Sequence, residues 1–158
     1  GYENRKLENR DFNDDKKDAG EMGAGHTVTA LYEIVPAGSA EEFGKTDPLK
    51  YQQVAIKPSE ELLTVKLRYK EPNEDTSKLL TKILNAKDET ANPSENFRFA
   101  TSVAEFGLVL RNSQFKANAS YQSALERAKA SRGQDADGYR AEFIKLVELA
   151  QMLDTRKK

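Results

Sequence analysis

The sequence predicts an α+β fold, in which an N-terminal antiparallel β-sheet or partial β-sandwich of about four strands precedes a three-helix lobe. Apolar and polar residues alternate in several stretches between residues 26 and 85, which is the period of a β-strand. After Pro93 the apolar residues recur at helical spacing instead. Strand patterns followed by helix patterns are typical of α+β rather than wound α/β domains.

The chain of 158 residues is long enough for one domain with two lobes. We predict a polar arm over residues 1–25, a β-rich lobe over 26–90 and a helical lobe over 91–158. With 25 basic and 26 acidic residues, the net charge of −1 excludes a strong field for nucleic acid or an anionic membrane. The sequence has no cysteine, which excludes disulfides and thiolate sites, and no apolar run long enough for direct membrane insertion.

The first predicted strand covers residues 26–35 and follows a turn that contains Gly23 and Gly25. Glycine permits the backbone angles that such a turn needs. The apolar residues of one face of the strand are Val28, Ala30, Tyr32 and Ile34. β-Branched and aromatic residues favour the pleated conformation, and Pro36 ends the pattern.

Three further strands complete the predicted sheet. Residues 50–57 form a weak pattern that ends at Pro58, whereas residues 60–70 alternate clearly between apolar and polar side chains. The turn at 71–75 leads to residues 77–85, whose spacing fits a short helix as well as a strand. Because a turn after a strong strand usually returns a hairpin, we predict a strand there.

The helical lobe begins after Ser94, a residue suited to cap the first orphan N–H groups of a helix. A second helix is predicted over residues 119–132, with Gly133 as its C-terminal stop. Asp135 or Asp137 can cap a third helix. The stripe of this third helix consists of Tyr139, Phe143, Leu146, Val147, Ala150 and Leu153, and we predict that it packs in the core with Phe99 and Phe106.

Several runs together resemble one protein family. They are Gly1-Tyr-Glu-Asn-Arg5, the long run from Asp11 to Glu33, Leu67-Arg-Tyr-Lys70, Phe97-Arg-Phe-Ala100, Val103-Ala-Glu-Phe-Gly107, Asn118-Ala-Ser-Tyr121 and Gly138-Tyr-Arg-Ala-Glu-Phe143. The chain resembles, over nearly its whole length, the C-terminal domain of unknown function of YfbK-like bacterial von Willebrand factor type A (VWA) proteins. The long run through His26 is its most specific part.

The resemblance implies a neighbouring VWA domain and a short N-terminal domain as partners, with other envelope proteins as further ones. It also implies a location in the cell envelope, either periplasmic or lipid-anchored, since family members often carry export signals. A further implication is that residues upstream of this chain complete some of its strands. The Asp-x-Ser-x-Ser motif that holds a divalent cation in VWA domains does not occur in this sequence. We therefore expect no cofactor in this chain and a non-enzymatic, structural or protein-interaction role beside the VWA domain.

An acidic stretch offers the alternative of a calcium-stabilised adhesion or glycan-binding module that uses the loop 11–21. Asp11, Asn13 and Asp15 occupy the first, third and fifth places of a calcium loop. Lys16 stands where that loop needs glycine, and the closing glutamate is missing. A solvated, ordered loop is therefore favoured.

A looser calcium site would use Asp14, Asp15 and Asp18. Lys16 and Lys17 lie within this stretch and repel a cation, so we predict no metal site there.

His26 is the one histidine, and it could serve as a general base. Catalysis needs an orienting partner that the spacing does not reveal, so we favour a histidine packed at a strand end and bonded to Asp18, Glu21 or a carbonyl. We expect ion pairs between helices or domains near Arg140 and Glu105. We predict no catalytic residue. The residues predicted to have structural or interaction roles are Gly23, Gly25, His26, Tyr32, Phe106, Tyr139 and Arg140.

Overall fold

The computed structural model describes residues 8–17, 20–36, 39 and 59–154. The chain divides into two compact units, Gly1–Glu89 and Thr90–Lys158, which are described separately below. The predicted strand 50–57 lies outside the described residues, and so does Asp18.

Among the described residues of the first unit, the longest regular structure is a β-hairpin, and short 3-10 helices lie at Asn9–Asn13 and Ala86–Asp88. Strand β1, Glu61–Tyr69, pairs antiparallel with strand β2, Lys78–Asn85, so that Leu67 faces Leu80. Between them Asn73 adopts a φ of 65°, in the left-handed region that asparagine tolerates. The prediction of a strand rather than a helix over residues 77–85 is confirmed.

One face of the hairpin carries most of its apolar side chains, and this face is incompletely covered. Leu63, Val65 and Leu84 are half-buried. Leu67 and Leu80 at the other end of the same face remain 51% and 57% exposed. Two strands bury too little apolar area to be stable by themselves.

The predicted strand at 26–35 and the expected total of about four strands are not confirmed. In the part of the chain that the structure describes, residues 26–36 run without regular secondary structure, and the sheet consists of β1 and β2. The side chains of Val28 and Tyr32 are 80% and 61% exposed. Alternation predicts a strand correctly only where a neighbouring strand offers its edge, and none of the described strands does so here.

The first helix of the second unit, α1, spans Glu95–Leu110. It begins as predicted, because the Ser94 hydroxyl accepts a hydrogen bond from the N–H of Phe97 at 3.2 Å. Helix α2, Tyr121–Ala130, is shorter than the predicted 119–132. A reciprocal pair of hydrogen bonds between Ser120 and Ser123 fixes its start at the later residue.

Helix α3 spans Tyr139–Leu153, and its N-terminus is capped from a distance. The Asp135 carboxylate accepts the N–H groups of Arg140 at 3.0 Å and Ala141 at 2.8 Å, which selects Asp135 over Asp137 as the capping residue. Gly138 supplies the positive φ of 76° that lets the chain turn into the helix.

The core of the second unit lies among the three helices. Its buried members are Phe106, Val109, Tyr121, Ala124, Leu125, Ala128, Ile144 and Val147. Ala124, Ala128 and Val147 are fully buried. The ring of Phe143 packs edge-on against Phe99 at 5.4 Å and against Phe106 at 5.6 Å, an arrangement that aromatic quadrupoles favour.

The predicted core is correct for Phe106 and Val147 but wrong for three residues of α3. Tyr139 is 73% exposed, Leu146 is 53% exposed and Leu153 is 76% exposed. Tyr139 begins the helix, ahead of the turn that meets the core, while Leu146 and Leu153 lie beside the buried stripe rather than within it.

Candidate functional site

A polar cluster around Asp15 joins the arm to the hairpin. The Asp15 carboxylate accepts hydrogen bonds from the Ser77 hydroxyl and from the Ser77 N–H at 3.3 Å, and it pairs with the Arg68 guanidinium at 3.5 Å. Arg68 also donates to the side-chain oxygen of Asn13 at 3.0 Å, and the Lys70 ammonium donates to the Asp15 carbonyl at 2.5 Å. These contacts hold the arm at the turn end of the hairpin, where β1 ends and β2 begins.

The environment of Asp15 favours its charged form. The hydrogen bonds from the Ser77 hydroxyl and N–H lower the pKa of the Asp15 carboxyl, partial desolvation opposes them, and the charges of Arg68 and Lys70 add to the lowering. The carboxylate is thus compensated by donors of the protein itself.

Asp14, another of the predicted calcium ligands, makes a local contact instead. The Asp14 carboxylate accepts the N–H of Lys16 at 3.0 Å, as in a local turn. Across residues 8–17, 20–36, 39 and 59–154, no three His, Cys, Asp or Glu side chains are grouped so as to hold a metal ion.

The glycine turn before residue 26 fixes the position of His26. Its N–H donates to the Gly23 carbonyl at 3.1 Å, and Gly25 has a φ of 76° that favours glycine. A Cβ atom at Gly23 would lie 2.6 Å from Nδ1 of His26, so the imidazole packs directly over the Gly23 backbone. The ring lies at the surface, where Tyr32 is exposed too.

Arg140 connects the three helices of the second unit. Its guanidinium donates to the carbonyls of Ser131 at 3.1 Å and Arg132 at 3.2 Å, just after α2. It also donates to the side-chain oxygen of Asn96 at 2.6 Å and lies 4.8 Å from the ring centre of Phe99, both on α1. Arg140 therefore acts as a structural junction of these helices.

Glu105 makes a second link between helices. It accepts a hydrogen bond from the Ser123 hydroxyl at 2.5 Å and pairs with Arg127 at 3.5 Å, so that it joins α1 to α2. Its side chain is 11% exposed, and a carboxylate that is so little exposed depends on such partners.

An apolar surface that the sequence prediction missed lies along α3. We call Leu146, Leu149 and Leu153 the leucine stripe; their side chains are 53%, 55% and 76% exposed. With Leu110 at the end of α1, the stripe lines an open groove of about 570 Å³. The spacings of three and four residues within the stripe could have indicated it, but the same spacings also fit a buried face.

Residues 1–153 match the family described as "Uncharacterized protein YfbK, C-terminal". The chain belongs to this family. The curated relative "Uncharacterized protein YfbK" of Escherichia coli (strain K12) is 39% identical over 154 residues, which are 95% of this chain and 26% of the relative. The chain thus spans about a quarter of the length of that relative. No solved structure matches the chain.

The match confirms the predicted resemblance to the C-terminal domain of YfbK-like proteins. The family description gives no activity, so the role of the domain has to be argued from its surfaces and its internal contacts. Within the described ranges, none of the helices has both the length and the apolar character needed to cross a bilayer.

Proposed function

We propose that this domain is a non-enzymatic structural and protein-interaction module that lies C-terminal to a VWA domain. It positions the VWA domain for metal-dependent binding of a ligand or partner in the bacterial cell envelope. The divalent cation belongs to the VWA domain, and the module described here contributes shape and contact surface.

The leucine stripe is the observation that carries this proposal. Contiguous exposed leucines on a helix are costly in water and commonly mark a surface that another protein element covers. Leu146, Leu149 and Leu153 follow the spacing of helix pairing, and the groove beside Leu110 is wide enough to receive apolar side chains. We therefore place the principal contact with the neighbouring domain on α3.

The internal contacts of three polar residues also support a structural role. Asp15 is held by Ser77 and Arg68, and Arg140 binds the carbonyls after α2. A carboxylate or guanidinium fixed by several protein partners stabilises the fold, and those contacts would have to break before it could act on a substrate.

The proposal is tested by removing residues 1–158 from the intact protein. We expect the VWA domain to melt at a lower temperature and to capture less partner, because it loses a neighbour that binds its folded state. Differential scanning calorimetry and pull-down with the intact protein as reference give the two readouts. Unchanged melting together with unchanged capture contradicts the proposal.

A pair of matched substitutions on α3 tests the surface itself. Leu149→Gln changes the middle of the leucine stripe, whereas Lys145→Gln changes an exposed polar position of the same helix. If α3 docks on the neighbouring domain, Leu149→Gln weakens the association of the separated parts by roughly tenfold or more, as expected for a buried apolar anchor. Titration calorimetry should show Lys145→Gln within about twofold of the unchanged protein, since a charge at the rim of an interface contributes little.

A further inference from the structure

A second depression of the helical unit lies between the end of α2 and α3, and we call it the basic pocket. Its volume is about 580 Å³, which is within the range of small-molecule sites. Its charged lining residues are Lys129, Arg132, Lys145 and Glu148. The lining belongs to the second unit and shares no residue with the groove beside the leucine stripe.

The basic pocket carries more positive than negative charge. The Lys129 ammonium pairs with the Glu148 carboxylate at 2.7 Å, so these two charges offset each other. Arg132 and Lys145 form no ion pair with any residue that the structure describes. Asp135 is bonded to the N–H groups of α3, which lower the pKa of its carboxyl, and the charge of Arg132 acts on it only as a further, weaker cause. Two cations of the pocket are therefore available to an anion.

The end of α2 would oppose an anion if its carbonyl groups were free, because the C-terminus of a helix is its negative end. The Ser131 hydroxyl donates to the carbonyl of Arg127 at 2.6 Å, and the Ser131 N–H donates to that of Ala128 at 3.2 Å. The Arg140 guanidinium donates to the carbonyls of Ser131 and Arg132. These donors and the charge of Arg140 offset the negative end of α2, so the pocket remains positive.

We propose that the basic pocket binds a small organic anion with a carboxylate or phosphate head and an apolar body. The Arg132 guanidinium offers a planar fork of N–H groups that fits two oxygens of such a head, and Lys145 supplies a second positive charge. The body of the ligand packs against Ile144 and Ala141, which belong to the same lining. A nucleic acid is not the ligand, because its backbone needs a longer row of cations than these two.

Nuclear magnetic resonance titration of the chain of 158 residues tests the proposal with phenyl phosphate and with benzoate. We expect saturable shifts of the amides of Gly133, Ala141 and Ile144, and the tighter of the two probes identifies the head group. Benzyl alcohol, which has a similar body and no charge, should bind roughly tenfold more weakly or less. Shifts that do not saturate with either anion, or equal binding of benzyl alcohol, would overturn the proposal. Exclusion of both anions by an acidic segment of the chain itself would give the first of these results.

Substitutions of single cations test the site. Arg132→Gln and Lys145→Gln should each weaken binding of the tighter probe by roughly fivefold or more, since each removes a charged contact. Lys66→Gln removes an equal charge from an exposed position of β1 and should stay within about twofold. Equal losses in all three variants would show an effect of net charge alone and would overturn the site. The helical circular dichroism of each variant shows that the second unit remains folded.

The inference goes beyond the proposed function, and the docking assay on the separated parts keeps the two apart. Arg132→Gln should leave docking unchanged, because Arg132 does not line the groove beside the leucine stripe. If Arg132→Gln weakens docking, the pocket holds an acidic surface of the neighbouring domain, and the proposal of a small ligand is wrong. If neither anion binds while Leu149→Gln still weakens docking, the proposed function stands without the basic pocket.

Discussion

The two units of the chain are stabilised in different ways. The helical unit has a core in which Ala124, Ala128 and Val147 are fully buried, whereas in the first unit each residue whose burial the structure describes retains some exposure. The first unit is fixed instead by the polar contacts of Asp15 with Arg68 and Ser77. The difference shows that three helices adjacent in sequence can form a buried core among themselves, while a hairpin depends on contacts from distant parts of the chain.

The largest effect should come from truncation in the helical core. Phe106→Ala removes a ring that is 7% exposed, and we expect the free energy of unfolding of the second unit to fall by about 3–5 kcal/mol. Leu67→Ala in the hairpin is the matched control, because Leu67 is 51% exposed and should cost under about 1 kcal/mol. Urea unfolding of both variants gives the values, and similar losses would contradict the comparison.

Two glycine-to-alanine substitutions in the helical unit should change its stability by smaller amounts, and in opposite directions. Gly133 has a φ of 62°, so Gly133→Ala should destabilise by about 1–2 kcal/mol. Gly107 lies inside α1 with no atom within 4 Å of an added Cβ, so Gly107→Ala should stabilise by about 0.5–1 kcal/mol. Thermal melts read by circular dichroism measure both, and a stabilising Gly133→Ala would contradict the backbone argument.

The polar contacts of the first unit should be sensitive to acid. Because the folded-state pKa of Asp15 lies below its ordinary value, its stabilising contribution is complete above the unfolded-state pKa and is lost as pH falls through the folded-state value. Asp15→Asn should therefore speed amide exchange in β1 and β2 at neutral pH and reduce the further change on acidification. Asp14→Asn, which alters a local turn, is the control and should leave the hairpin amides nearly unchanged.

The smallest expected effect concerns calcium. Asp15 is already paired with Arg68, so we expect the melting temperature of the chain in calcium and in chelator to agree within about 1 °C, as linkage requires when no native-state site exists. A clear rise in calcium that disappears in Asp15→Asn would favour the adhesion or glycan-binding alternative.

The sequence predicted the elements whose causes are local. Ser94 caps α1 and Asp135 caps α3, and the turn after β1 returns β2 as expected. The sequence could not show whether residues 27–35 would meet a strand, because alternation specifies a face but not its partner. Nor could it show that Ser77 would donate hydrogen bonds to Asp15, since residues so distant in sequence are brought together only by the fold.

On α3 the sequence predicts one apolar stripe, but its residues divide between two surfaces. Phe143 and Val147 face the core, while Leu146 and Leu153 line the groove. Spacings of three and four residues occur on both surfaces. The pattern therefore predicts that the segment is helical but not which of its surfaces is buried.

Residues 26–34 are exposed and lack regular secondary structure, which has a consequence for limited proteolysis. Proteases bind substrates as extended chains, and the stretch from Asp18 to Gly44 contains neither lysine nor arginine. Chymotrypsin should therefore cut early after Leu31 or Tyr32, while trypsin leaves this stretch intact. The first cleavage products would preserve the helical unit whole and carry the hairpin with it.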